Sequence, residues 1–174
     1  MKVTARGMLA GIWGTLCLAA VAAPVLLANA HFVAAAACYV PFSRFCHQNP
    51  VRSFAILQYP MAVCHRCAGI YLGLFLGTVF APRVLRWSRK SLRMRRLLIL
   101  AAVVPLALDA LLPFTGLWRG MWQSRLLTGF VFGGLVAPLL VEALTELAEL
   151  ARPTQTRSRR TDAAFPSSSE GEIS

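Results

Sequence analysis

Apolar residues fall into four long runs, and the polar residues gather between them. The runs cover 8–30, 68–85, 97–112 and 125–141. About 20 apolar residues are needed for a helix to cross the hydrocarbon core of a bilayer. The pattern therefore predicts an all-α fold, a four-transmembrane-helix bundle. Between the first and second runs lies a mixed stretch, 31–64. Within it, 31–45 is apolar but broken by Pro41 and closed by Ser43-Arg44. It is too short to span, and reads as a continuation of the first helix or a segment at the interface. Pro50 and Pro60 bracket 51–59, where one or two helical turns are expected, so a short helical outer segment joins the first two spans.

Small residues recur at helical spacing in two runs. Gly69, Gly73 and Gly77 fall four apart, as do Gly129, Gly133 and Ala137. Each set makes one smooth helix face, and in lipid such faces let two helices approach closely. The second and fourth spans are therefore expected to pack together.

Composition agrees with this frame. The 174 residues are 57% hydrophobic and 14% charged, with mean hydropathy +0.59, against roughly 25% charged in soluble domains. The net charge of +11 does not imply nucleic acid, because the basic residues flank apolar runs, as topology signals do. The N-terminus, the 83–96 loop and the tail hold two, seven and four Lys and Arg, against five on the other side. The positive-inside rule then puts both termini in the cytoplasm of a multi-pass cell-membrane protein. Residues 1–150 form a single membrane domain, and the Pro-, Ser-, Thr- and Arg-rich 151–174 reads as a disordered cytoplasmic tail. Trp118, Trp122 and Tyr59 fit an outer aromatic belt and Trp87 an inner one. Ala28-Asn29-Ala30 has the small-x-small form of a signal cleavage site. Signal cores, however, run about 7–15 residues; this run is longer, and an uncleaved first helix is expected.

The chemistry concentrates in 46–73. Cys64-His65-Arg66-Cys67 opens the second span, where helix-terminal amides favour thiolate over thiol. Cys46 and His47 stand eighteen residues earlier. Zinc takes four Cys or His ligands, often as one close pair and one remote pair. Cys46, Cys64, Cys67 and one histidine, His47, make a candidate zinc or iron site. Adjacent ligands such as Cys46 and His47 are sterically awkward on one ion; His65 has the same difficulty, and His31 is a third candidate. A disulfide between Cys46 and Cys64 or Cys67 is the competing reading, which an oxidising exterior permits. Cys17 and Cys38 read as small apolar residues.

Asp109 is a carboxylate inside a span, which is costly and needs a partner or a function. Arg125, at the start of the next span, is the expected partner, in either a structural ion pair or a catalytic role. Arg52 and Arg66 join them as candidates for a polar pocket that takes an anionic or lipid-linked ligand, since arginine binds phosphate and carboxylate bidentately. Arg44 and Arg119 read as anchors to lipid phosphates.

Together these residues resemble a family of small predicted membrane proteins, domain of unknown function 2085. Its paired motifs are matched by Cys46, His47, Gln48, Pro50, Arg52, Ser53 and Phe54, and by Cys64, Arg66, Cys67, Gly69, Ile70, Tyr71 and Gly73. Asp109, Gly116, Arg125, Thr128 and Gly129 fit a later block, while Ala110, Pro113 and Trp122 depart from it. The resemblance implies a membrane location and no assigned reaction. Three functions follow as expectations: a metal site beside an Arg/Asp pocket, a quinone-linked thiol–disulfide oxidoreductase, or a non-catalytic subunit of a membrane complex.

Overall fold

The structure is a computed structural model that describes residues 2–88, 92–115 and 120–150. Five helices carry it: α1 (Lys2–Ala28), α2 (Phe32–Ser43), α3 (His65–Ser88), α4 (Leu92–Leu111) and α5 (Trp122–Leu150). Among the described residues, two helical stretches, Ala5–Ala28 and Trp122–Ala148, are long and apolar enough to cross a membrane. The α1, α4 and α5 surfaces present exposed Ile12, Leu18, Leu100, Leu108, Leu127 and Leu144, an apolar exterior of the kind that faces lipid. Pro24, Pro41, Pro82, Pro105 and Pro138 all lie inside helices, which membrane helices tolerate because neighbours re-satisfy the freed carbonyls. The expected tail at 151–174, with Gly116, Trp118, Arg119, Arg89 and Lys90, lies outside the described residues, and so does the side chain of Trp87.

Of the helical turns expected between Pro50 and Pro60, only the first residues form one, and the rest is strand and turn. A 3₁₀ turn at Pro50–Arg52 leads into a hairpin of β1 (Ser53–Ile56) and β2 (Tyr59–Cys64), so the fold is mostly helical with a small two-stranded sheet. The strands are antiparallel, pairing Ser53 with Cys64 and Ile56 with Tyr59. Leu57 and Gln58 make the turn at φ 50° and 68°, the left-handed pair that a two-residue hairpin needs to match strand twist. Pro60 pairs with Ala55 near the hairpin's end, a place where the two-stranded sheet has little ladder to lose.

The stretch 31–45 is a separate helix, α2. Residues Ala28-Asn29-Ala30 form the C-terminal cap of α1. Ala30 is left-handed at φ 58°, and the amides of Ala30 and His31 bond back to Leu27 and Leu26, the double bond of a Schellman cap. Turned back by this cap, α2 and the hairpin lie against α1. Ala20 and Ala23 of α1, Phe42 of α2, Cys46, and Met61, Ala62 and Val63 of β2 form one buried cluster.

α3 and α5 pack backbone to backbone. A methyl group on Gly69, Gly73, Gly129 or Gly133 would fall on the carbonyl oxygen of Leu126, Phe130, Arg66 or Ile70 respectively. One on Gly77 would stand 2.6 Å from the Gly134 oxygen. The two faces of small residues meet backbone to backbone, as their spacing predicts. At the far end of this pair, Arg95 of α4 stands 3.5 Å from the buried carboxylate of Glu142.

Candidate metal centre

The N-terminal end of α3 gathers three sulfurs from two stretches of chain. Cys46 follows α2 and is 5% exposed. Cys64 closes β2, and Cys67 lies in the first turn of α3. Their Sγ atoms all lie within 4.8 Å of one another, and all three thiols are free. A tetrahedral zinc with 2.3 Å bonds would set its sulfurs about 3.8 Å apart, so a small inward shift completes that geometry. A disulfide between any two would leave the third stranded beside it. The Cys64 amide donates to the Cys46 sulfur at 3.2 Å. Hydrogen bonds from the Cys46 and Cys67 thiols hold the Cys64 sulfur well below the ordinary thiol range.

The loop that delivers Cys46 is held by residues that composition alone does not single out. Gln48 takes φ 46°, and its side-chain amide donates to the carbonyls of Tyr39 at 2.8 Å and Ala62 at 3.0 Å. That one side chain stitches α2 to β2 directly beside Cys46. Asn49 caps the 3₁₀ turn by accepting from the Val51 amide at 3.0 Å, and Ser53 donates back to the Asn49 carbonyl at 3.0 Å. The Tyr39 hydroxyl donates to Pro60 at 2.5 Å. The run from Gln48 to Ser53 is thus a set of braces that fixes where Cys46 stands, and its spacing in the sequence carried no sign of that role.

The histidines are placed differently from the thiols. His47, the expected fourth ligand, is not among the donor atoms that converge; it lines the cavity beside them. His65 is buried, 4.4 Å from the Phe54 ring and 6.2 Å from Trp122 between centroids. Burial pushes its pKa down, which favours the neutral ring. His31 stands at the N-cap of α2, outside the cluster.

Asp109 pairs with Arg66 and not with Arg125. Arg66 Nη2 lies 2.5 Å from Asp109 Oδ2 and also donates to the Asp109 carbonyl at 3.2 Å. The Ser124 hydroxyl donates to Oδ1 at 2.8 Å. The reason lies in helix geometry: successive residues point about 100° apart. With Ser124 turned toward Asp109, the next residue, Arg125, is carried round to another side. Asp109, 6% exposed, therefore ties α4 to the first turn of α3 and the start of α5.

Beside the sulfurs opens a cavity of about 420 Å³. Cys46, Cys64 and Cys67 line it together with Arg52, Arg66 and Arg125. Exposed Arg44 is not among its walls. Cys17 borders a separate apolar hollow, and Cys38 packs at the edge of the hydrophobic cluster, consistent with their reading as apolar residues.

A helical frame with an apolar exterior and one polar, thiol-lined end defines a membrane protein with a cysteine cluster. Residues 46–139 match the family described as predicted membrane protein, domain of unknown function 2085, and the chain belongs to that family. An uncharacterised protein of Methanocaldococcus jannaschii is 34% identical over 109 residues, 63% of this chain and 69% of the relative. An uncharacterised protein of Methanothermobacter thermautotrophicus is 30% identical over 93 residues, 53% of this chain and 80% of the relative. No solved structure gives a significant match.

Proposed function

We propose that this is a multi-pass membrane protein whose Cys46, Cys64 and Cys67 hold one metal ion, zinc or iron, beside a polar pocket formed by Arg52, Arg66, Asp109 and Arg125. α3 and α4 cross the bilayer alongside α1 and α5, with both termini in the cytoplasm and the thiols on the opposite side. One observation carries the metal reading: three sulfurs from two chain segments converge within 4.8 Å, a set that a single disulfide cannot satisfy. An ion with three protein ligands keeps a position for water or a ligand, and all three thiols line the same cavity. His47, on the wall of that cavity, is the candidate to supply a fourth ligand by a loop movement. Within this reading, Arg66 and Asp109 hold the Cys64–Cys67 turn in place.

Bound zinc or iron would supply Lewis acidity at the cavity. The protein's own residues position the thiols and present positive charge beside them.

A second reading, thiol–disulfide exchange, is favoured by the lowered Cys64 thiol, since thiolate is the attacking form. One experiment separates the two. The full chain is purified in detergent, its metal is measured, and free thiols are counted without reductant. Close to one metal per chain, lost in Cys64→Ser and kept in Cys38→Ser, is the expected result. A metal-free protein with a reversible disulfide among the three cysteines would overturn the metal site in favour of exchange chemistry.

A further inference from the structure

The charges around the cavity do not balance. Three guanidinium groups line it, those of Arg52, Arg66 and Arg125. No carboxylate precedes Asp109 in the sequence, and Asp109 is committed to Arg66 and Ser124. Among the described residues, neither Arg52 nor Arg125 has a carboxylate partner. Three thiolates on a divalent ion would carry a net charge of −1, which still leaves one positive charge in excess beside Arg52 and Arg125.

Arg125 is the informative member. Its Nε is shut off from solvent and has no hydrogen-bond partner among the described residues. A buried donor left unpaired is costly, and more so for a charged group. The chain is nonetheless shaped around this guanidinium. Gly120 takes φ 63°, and a Cβ there would stand 2.9 Å from Arg125 Nη2 and 3.1 Å from Nε. A side chain at 120 would be strained and would crowd the arginine. Asn49, also on the cavity wall, has its Oδ1 engaged by the Val51 amide, which leaves its NH₂ group to offer to a ligand.

We infer that this cavity binds a phosphate group, held between Arg125 of α5 and Arg52 of the 3₁₀ turn, with Asn49 as a further donor. The inference rests on the polar pocket assigned above and not on the metal. Two cationic forks on separate elements suit a group with three or more acceptor oxygens, because the two oxygens of a carboxylate are used up by one guanidinium. The cavity volume lies within the usual range for small-ligand sites, about 300–1,000 Å³. Exposed Phe45 and Val51 flank Cys46 and Arg52 in the chain, so the phosphate can arrive free or as the headgroup of a lipid.

The test uses the full chain in a maltoside detergent free of phosphate. Inorganic phosphate and short-chain phosphatidic acid, whose phosphomonoester keeps three free oxygens, are titrated separately, with acetate at matched ionic strength as the control, and bound metal is measured in every sample. Saturable binding of phosphate or of the lipid, at least tenfold tighter than acetate, is expected. It should fall at least tenfold in both Arg125→Gln and Arg52→Gln. Arg52 is exposed, so its variant keeps a readout should Arg125→Gln fail to fold. Binding of the lipid alone identifies a headgroup, and equal binding of both identifies the free anion. Phosphate and lipid no tighter than acetate, or binding unchanged in Arg52→Gln and Arg125→Gln, overturns the proposal. Phosphate binding in a metal-free protein would refute the metal reading and leave this one standing.

Discussion

Replacing Asp109 by alanine strips the shared acceptor from Arg66 and Ser124. The Asp109 side chain is 5% exposed and that of Arg66 28%, so the guanidinium stays in a largely dry place with the residue-109 carbonyl as its remaining described acceptor. Removing one member of a buried pair costs about 3–5 kcal/mol. Arg66 can turn part of its charge toward the cavity, and Ser124 keeps a bond to the Met121 carbonyl at 2.9 Å, so a loss near the lower end, about 3 kcal/mol, is expected. Arg66→Leu alone should cost a similar amount by stranding the carboxylate. Arg66→Leu combined with Asp109→Leu should recover most of the loss, because apolar replacement of a whole pair is often neutral. The coupling in this cycle should reach about 2–3 kcal/mol. The measurement is reversible unfolding in mixed micelles at fixed detergent composition. A second measurement is metal affinity by chelator competition. Arg66 stands between Cys64 and Cys67, so each single variant should weaken affinity about 10–100-fold, the usual effect of losing a group that orients ligands. Additive losses across the cycle, or an Asp109→Ala protein as stable as the parent, would refute the tie.

Two further outcomes are expected. Gly133→Leu should prevent α3 and α5 from closing and cost upwards of about 3 kcal/mol by overpacking, read as loss of the unfolding transition, whereas Gly11→Leu, at a site with open space around it, should be near neutral. Gln48→Ala should cost about 1–3 kcal/mol, since the Tyr39 and Ala62 carbonyls lose their side-chain donor, and should raise the rate at which maleimide labels Cys46.

The parts of this molecule that could be read from sequence are those written in local spacing. Small residues four apart on two helices announce the α3–α5 contact, because the helix repeat converts spacing directly into a face. The three site cysteines stood out for the same reason, two at a fixed interval and one with a histidine beside it. The hairpin was hidden because its turn is Leu57-Gln58, neither residue being one that ordinarily takes positive φ, and because Pro60 argued against a strand. The partner of Asp109 was misjudged because nearness along the chain favoured Arg125. The orientation of Ser124, which no spacing rule supplies, turned Arg125 away and left Arg66 to make the pair. Gln48 could have been noticed as a polar residue inside a motif, but its two acceptors are backbone carbonyls, which leave no mark in a sequence.

The backbone-to-backbone contact of α3 with α5 reaches further than packing. The thiol turn begins one of these helices, and Arg125 lies in the first turn of the other. With only glycines and a small alanine at the contact, neither helix can rotate or slip without driving main-chain atoms together. The spacing between the sulfurs and the guanidinium is therefore set like the jaws of a fixed gauge. Whatever enters must match that opening on arrival, and any adjustment has to come from the loop that carries Cys46 and Arg52.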